Sequence, residues 1–529
     1  MALPNTQVRT GETMQARTMP KRFGPDAILI TFALAAIGVE LVAILITTQG
    51  HFTYSLDDPY IHLRLSEQIF HGTYGINTGE PSSPSSSILW PFLLAPFTPT
   101  PLHPYIPLLI NSLAFTGSLL VARRILPVRP GVIIAIALVL NWVGLVFTGM
   151  EHSLQVLLTL LCAQGILQAW RGEPITRWFW VAAVLGPSIR YENLAVTLVA
   201  LVAVGAMGHA RRSAAAAAAA LAPIIGFSIF LHALGLPWLP DSVIAKRPLA
   251  STHSISVAMS TAGTRLANNL VNGTTVGVLM LALLAFVIMA VRRVAKGQAP
   301  TRSLIPVVGA LAVLAAHIGF AANGWFGRYE IYTLSFALFL VLGSEHEWIQ
   351  RATAWLGAWS APATFLTTSL LVTPTLLFPT LTTPEAALGI YSKQVQLHRL
   401  AVDFLHGPVA VNNLGAVSYQ SPYRVVDLWG LGSNRALKLR HSGRQDWMAT
   451  AVPVGSVKAV MIYPSWFTGQ IPANWPLVGC LRHDMLSSAG PNVAIYATAP
   501  KDAESLHRAM AAWAPSIPSG AHVLFTGCS

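Results

Sequence analysis

Five short segments of the chain bring carboxylates and cations within a few positions of one another. The first holds Asp57, Asp58, His62, Arg64 and Glu67. The others are Gly149-Met150-Glu151-His152, Arg190-Tyr191-Glu192-Asn193, Pro240-Asp241-Ser242 with Lys246, and Gly327-Arg328-Tyr329-Glu330. Each lies next to a long apolar stretch. Ionisable side chains at such positions are costly, so they are functional candidates by default. The chemistry they suit is transfer of a group from a phosphate to a hydroxyl. A carboxylate accepts the hydroxyl proton, and cations hold the departing phosphate as its charge grows. The bland alternative is that these groups are solvated or paired with one another.

The elements that must position these groups are apolar helices. Of the 529 residues, 53% are hydrophobic and 10% charged, and the mean hydropathy is +0.55. A soluble domain carries about 25% charged residues. Apolar stretches near the roughly 20 residues needed to cross a bilayer fall at 26–48, 102–122, 131–149, 152–170, 177–189, 193–209, 213–234, 273–291, 303–321, 329–343 and 353–374. The reading is thus a polytopic α-helical membrane protein of about 11 transmembrane helices. Residues 1–25 form a cytoplasmic tail, 26–374 the membrane domain, and 375–529 a soluble extracytoplasmic α/β domain. The first span is too long for a cleaved signal and lacks a small-residue cleavage site.

The net charge of +12 invites a nucleic-acid reading, but its distribution fits membrane topology. One set of loops carries sixteen Lys and Arg residues, among them Arg123, Arg124, Arg211, Arg212, Arg292 and Arg293. The opposite set carries six: Arg64, Arg190, Lys246, Arg247, Arg265 and Arg328. The excess marks the cytoplasmic side, which places the N-terminus inside and the five charged segments outside. The partners implied are a lipid bilayer and no nucleic acid. Loop 49–101 is expected to form two helices along the interface, one starting near Asp57 and one around Trp90.

In the C-terminal region, the runs PVAVNN, YRVVDLWGL, SVKAVMIY and PNVAIYA read as strands, with helices near Gln394–Phe404 and Ala503–Trp513. Asp427 and Trp429 offer a carboxylate and an indole to a sugar ring, or else are a turn acid and a core aromatic. Cys480 and Cys528 either form a disulfide, as an oxidising compartment allows, or stay as two buried thiols.

The loop DDPYIHLRLSEQIFHGTYGINTGEPSSPSSSILWPFLLA resembles the first external loop of the GT-C glycosyltransferases. It is nearest the branch of actinobacterial cell-wall arabinofuranosyltransferases and their bacterial relatives. Further resemblances follow in order: TGMEH, IRYEN, GLPWLPDSVIAK, GRY, NNLGAVSY and RVVDLWGL. The chain departs from that pattern at Pro59, at the serine run 82–87 and in the IRYEN segment. The resemblance implies a plasma-membrane enzyme that moves a sugar from a polyprenyl-phosphate donor to an extracytoplasmic glycan, lipid or protein acceptor. Asp57 matches the family's general base, and Asp58 would orient it, assist it or bind the acceptor, or else cap the helix. Glu151 would hold the acceptor or pair with a cation. Arg190, Lys246 and Arg328 would hold phosphate, or form salt bridges with Glu192, Asp241 and Glu330. Tyr329 belongs to the same cluster.

One prominent acidic pair points to a single displacement with inversion. No obligatory cofactor or metal is expected, although His62 lies one turn from Asp58 and leaves a divalent cation open. No Gly-rich nucleotide fingerprint supports a nucleotide-sugar donor. The rival readings are a transporter or flippase of lipid-linked sugars, which would carry its charges at mid-membrane, and a non-catalytic sensor.

Overall fold

The computed structural model describes residues 24–246, 287–288, 304–321, 328–344, 378–483, 490–525 and 527–528. They form a helical bundle and a domain built on a mixed β-sheet. The first helix, α1 (Pro25–Thr47), begins with proline at its N-terminus, where the missing N–H costs nothing. It leaves Leu34, Val39 and Ile46 67%, 70% and 74% exposed. Such an apolar exposed face calls for a lipid solvent.

After α2 (Asp58–Phe70) and the short α3 (Trp90–Leu94), the bundle continues with α4 (Ile106–Ile125), α5 (Pro130–Val139), α6 (Trp142–Phe147), α7 (His152–Arg171), α8 (Arg177–Ile189), α9 (Asn193–Val204) and α10 (Ala210–Ala233). A single turn of α11 (Asp241–Lys246) leads on to α12 (Ile305–Phe320) and α13 (Ile331–Ser344). Helix α7 lies at the centre, against α4, α8, α9 and α13. At Gly165 a Cβ would overlap the ring of Phe179, so glycine permits the close approach of α7 and α8.

Among the described residues, four helical stretches are long and apolar enough to cross a membrane: Pro25–Thr47, His103–Ile125, His152–Arg171 and Asn193–Ala233. The last bends back on itself at Gly208, where φ is 105°, and so contains both the 193–209 and 213–234 expectations. The described residues do not by themselves bear out the count of eleven. Stretch 131–149 is two short helices parted at Asn141, whose φ of 54° ends α5. Helices α8, α12 and α13 run 13, 16 and 14 residues, short of a full bilayer by length alone. The expected spans 273–291 (apart from 287–288) and 353–374 lie outside the described residues.

The C-terminal domain holds β3 (Val409–Val411), β4 (Val425–Asp427), β5 (Ala459–Ile462), β6 (Leu477–His483), β7 (Asn492–Tyr496) and β8 (Ala521–Leu524); a separate hairpin, β1 (Gly75–Asn77) and β2 (Glu80–Pro81), belongs to the first loop. The sheet order is β4-β3-β5-β7-β6-β8. The first three strands are parallel and the rest antiparallel. The parallel strands are buried throughout, as expected of strands covered on both faces. Val409 and Val411 enter one core and Ala410 the other. Helix α14 (Gly415–Ser418) follows β3, α15 (Asn434–Arg440) follows β4, and α16 (Pro500–Trp513) covers one face with Leu506, Met510 and Trp513. Of the two cysteine readings the disulfide holds: Cys480 and Cys528 are bonded, with Cα atoms 5.4 Å apart.

The boundary between the two parts lies later than residue 375. Ala387 belongs to the helical core. Thr380 Oγ1 donates to Asn141 Oδ1 at 2.7 Å, and Thr47 Oγ1 donates to Pro384 O at 3.4 Å. The segment Thr383–Ile390 is apolar enough to pack along α1, so it stays with the bundle.

Candidate active site

The charged segments meet at one end of the bundle, with α2 at their centre. This helix does not lie along an interface as expected. Nine of its residues, from Pro59 to Gln68, are buried, because the C-terminal domain covers one side of it and the rest of the first loop and α10 cover another. The expected second interfacial helix is the five-residue α3, which does leave Phe92 and Leu93 42% and 41% exposed.

Asp57 occupies the N-cap position of α2 but caps a different helix. Its Oδ2 accepts the N–H of Gly415 at 2.8 Å, and its Oδ1 accepts that of Ala416 at 2.8 Å. These are the first amides of α14, where a helix end presents unpaired donors. Gly415 must be glycine, since a Cβ there would overlap the carbonyl of Asp57. Asp57 is 8% exposed. Burial raises its pKa to about 7 despite the two N–H donors, and the charges of Asp58 and Asp427 act in the same direction.

Asp58 turns the other way. Its Oδ2 receives Arg328 Nη2 at 2.6 Å, and its side chain is 32% exposed while that of Arg328 is 3% exposed. Asp58 therefore neither caps α2 nor duplicates Asp57. Arg328 also donates to the hydroxyl of Tyr329 at 3.0 Å and lies 4.8 Å from that ring's centre. Its Nε and Nη1 are buried and have no hydrogen-bond partner among the described residues. Burial works against its charge, but Tyr329 and Asp58 outweigh it and raise the pKa. The expected alternative partner, Glu330, is not the one Arg328 takes.

Arg190 also approaches Tyr329, 5.7 Å from the ring centre. Here the salt-bridge expectation holds. Arg190 grips Glu192 with Nε and Nη2 at 3.1 and 2.9 Å, and its Nη1 donates to Glu151 at 2.8 Å and to Ser86 at 3.0 Å. Glu151 is wholly buried, so it pairs with a cation and does not face an open acceptor space. Its second oxygen lies 3.8 Å from His62 Nε2, and His62 Nδ1 meets Ser85 Oγ at 3.1 Å. His62 thus joins Glu151 rather than the aspartates. Among the described residues, no three His, Cys, Asp or Glu side chains form a metal-binding group.

Asp241, Lys246 and Asp427 complete the set of candidates. Asp241 is buried and ties loops together: its Oδ2 accepts the N–H of Ser83 at 3.0 Å and its Oδ1 accepts Asn434 Nδ2 at 2.8 Å. The side chain of Lys246 lies outside the described residues. Asp427 is the turn acid of the two alternatives: both oxygens accept backbone amides, from Trp429 and Gly432, at 2.8 Å, and burial raises its pKa to about 6. Trp429 packs edge-on to Trp466 and beneath Arg440, whose Cζ lies 4.1 Å above its ring. Trp429 is partly exposed.

The C-terminal domain helps to build the site. Asn77 exchanges two hydrogen bonds with the backbone of Val425, both at 2.9 Å. Arg424 holds Glu80 through two contacts, at 3.0 and 3.1 Å. Asp57 docks at the carboxyl ends of the parallel strands, where open α/β sheets place ligands. Sequence reasoning missed the aromatic residues beside this joint: Tyr54, Tyr60, Tyr105, Tyr391 and Tyr419. The run HFTY before the acidic pair and the tyrosine closing NNLGAVSY were the available signals.

Residues 386–496 match the family model of a domain of unknown function, DUF8728. That match covers most of the C-terminal domain, including β3 to β7. No curated protein and no solved structure matches the chain.

Proposed function

We propose that this protein is a membrane glycosyltransferase of the GT-C type, which moves a sugar from polyprenyl phosphate to an extracytoplasmic acceptor. In this reading about eleven helices span the plasma membrane, the N-terminus is cytoplasmic, and the C-terminal domain and the acidic pair face outward. One observation carries it: Arg328, buried and held against Asp58 at 2.6 Å, keeps two guanidinium nitrogens without partners among the described residues. An anion site beside an accessible carboxylate is what transfer from a phosphate to a hydroxyl requires.

Asp58 takes the proton of the acceptor hydroxyl as that oxygen bonds to the anomeric carbon. The bond from that carbon to phosphate oxygen breaks, and polyprenyl phosphate leaves with the electron pair toward Arg328. The planar guanidinium fork suits two phosphate oxygens. One displacement inverts the anomeric configuration. Asp57 sets the start of α2 through its grip on α14, and so positions Asp58.

The test uses the purified full chain in lipid nanodiscs, with polyprenyl-phosphate pentoses and hexoses and a set of acceptor glycosides. Wild type forms a glycosidic product of inverted configuration, and Asp58→Asn lowers the rate by about 10²–10⁴-fold. Asp57→Asn is the poorer probe, because its amide N–H would face the N–H of Gly415 or Ala416. Movement of intact donor across the bilayer with no new glycosidic bond would replace this reading by the transporter.

A further inference from the structure

Between the start of the first loop, the entry to α4 and the C-terminal domain lies a cavity of about 280 Å³. That is near the lower edge of small-molecule sites, about 300–1,000 Å³, and suits a single small ring. Its walls are aromatic on several sides: Phe52, Tyr54, Tyr60, Tyr105, Tyr391 and Tyr419 all line it. The rings meet at varied angles. Phe52 packs edge-on to Tyr54 at 4.9 Å, Tyr54 edge-on to Tyr60 at 5.8 Å, and His51 lies flat on Tyr391 at 5.0 Å. Tyr54, Tyr60 and Tyr419 belong to one core cluster with Phe52 packed against it, and two of the phenol oxygens are held. Tyr54 Oη donates to Pro104 O at 2.7 Å, and Tyr419 Oη meets His103 Nδ1 at 3.1 Å.

Polar groups share the same wall. His398 donates Nδ1–H to Val417 O at 3.2 Å, so in the neutral ring Nε2 is the acceptor. Thr53 and the amide of Gln420 also line the space. Gln420 and His51 are exposed, as is Tyr105 at 46%, so the cavity opens to solvent. An apolar tail has no use for the imidazole of His398, the hydroxyl of Thr53 and the amide of Gln420. A saccharide uses both kinds, setting its C–H faces on the rings and its hydroxyls on the polar atoms.

The position adds to the case. Ala416, whose N–H holds Asp57, lines the cavity, and so does Tyr60, whose N–H donates to Asp57 O at 3.1 Å. The acidic pair therefore stands between two environments. Asp58 meets the cationic side and Asp57 the aromatic side.

We infer that this cavity is a saccharide site, and, resting on the glycosyltransferase reading above, that it holds the sugar of the acceptor.

The test is saturation-transfer NMR on the full chain in nanodiscs, with methyl glycosides of arabinose, galactose, mannose and glucose as probes. Ring protons of at least one glycoside receive saturation. Tyr105→Ala and Tyr391→Ala each weaken its binding about fivefold or more, while Trp178→Ala, on the distant helix α8, leaves it unchanged. Absence of binding by every glycoside, unchanged binding in both tyrosine variants, or displacement of the glycoside by decyl phosphate would each overturn the site. Glycoside binding without any sugar transfer would keep the site and reject the enzyme. Transfer with an acceptor KM unmoved by Tyr391→Ala would keep the enzyme and reject the site.

Discussion

Two buried arginines stand beside the ring of Tyr329, and they differ in what surrounds them. Arg190 has four hydrogen bonds, to Glu192, Glu151 and Ser86. Arg328 has two, to Asp58 and Tyr329, with Nε and Nη1 left over among the described residues. Equal burial thus conceals unequal roles. A guanidinium saturated by carboxylates holds loops together and has little left for a ligand. One with open donors is an anion site in waiting, since a buried unmet donor costs roughly 1–3 kcal/mol. Residue type and depth alone do not separate the two; the partner count does.

The largest expected effect comes from removing the saturated arginine. Arg190→Met leaves Glu151 buried without its cation. Breaking a buried pair in this way costs about 3–5 kcal/mol, read as a large drop in Tm in detergent. If Arg190→Met keeps its Tm but loses transfer, Arg190 is a ligand-binding group and the contrast dissolves. Arg328→Ala should behave in the opposite manner. Transfer falls by about 10²–10³-fold with a smaller loss of Tm, because the Asp58 it abandons is partly exposed. Arg328→Lys recovers only part of the rate, since an ammonium lacks the fork.

The carboxylates extend the comparison to pH. Asp57 has its pKa raised to about 7 in the fold, against roughly 3.9 when unfolded. Between those values the folded chain binds more protons than the unfolded one. Stability is therefore full below about pH 4 and is lost as pH rises through 7. Asp427, raised to about 6, contributes in the same direction. Unfolding midpoints measured from pH 4 to 8 should decline, and Asp57→Leu should flatten the decline. A midpoint that climbs over that range contradicts it. The smallest expected effect is that of Tyr329→Phe. It deletes one hydrogen bond to Arg328, worth about 0.5–1.5 kcal/mol, so transfer drops by roughly tenfold or less and the Tm hardly moves.

Much of this arrangement was legible in the residues. The five charged segments converge as their shared placement beside apolar stretches implied, and four of the strand-like runs became β3, β4, β5 and β7. The pairing within the cluster was not legible. Arg328 reaches Asp58 across 270 positions, and nothing in GRYE distinguishes that partner from nearby Glu330. The role of Asp57 was hidden for the same reason: its partners are backbone amides, which every residue carries. Helix lengths misled where apolar runs were broken internally, as at Asn141, because hydropathy averages over a residue that adopts a left-handed turn. The hairpin β1–β2 was missed because its strands are two and three residues long, too short for any period to appear.

The seat of Asp57 on α14 has a consequence for engineering. The acid lies in the first loop and its receptor, the amides of Gly415 and Ala416, lies more than 350 positions later. Any side chain at position 415 would close that receptor. The two halves of the molecule are therefore not interchangeable modules. A chimera that borrows its C-terminal portion from another chain will need to import the matching first loop with it, or lose the alignment of its acidic pair.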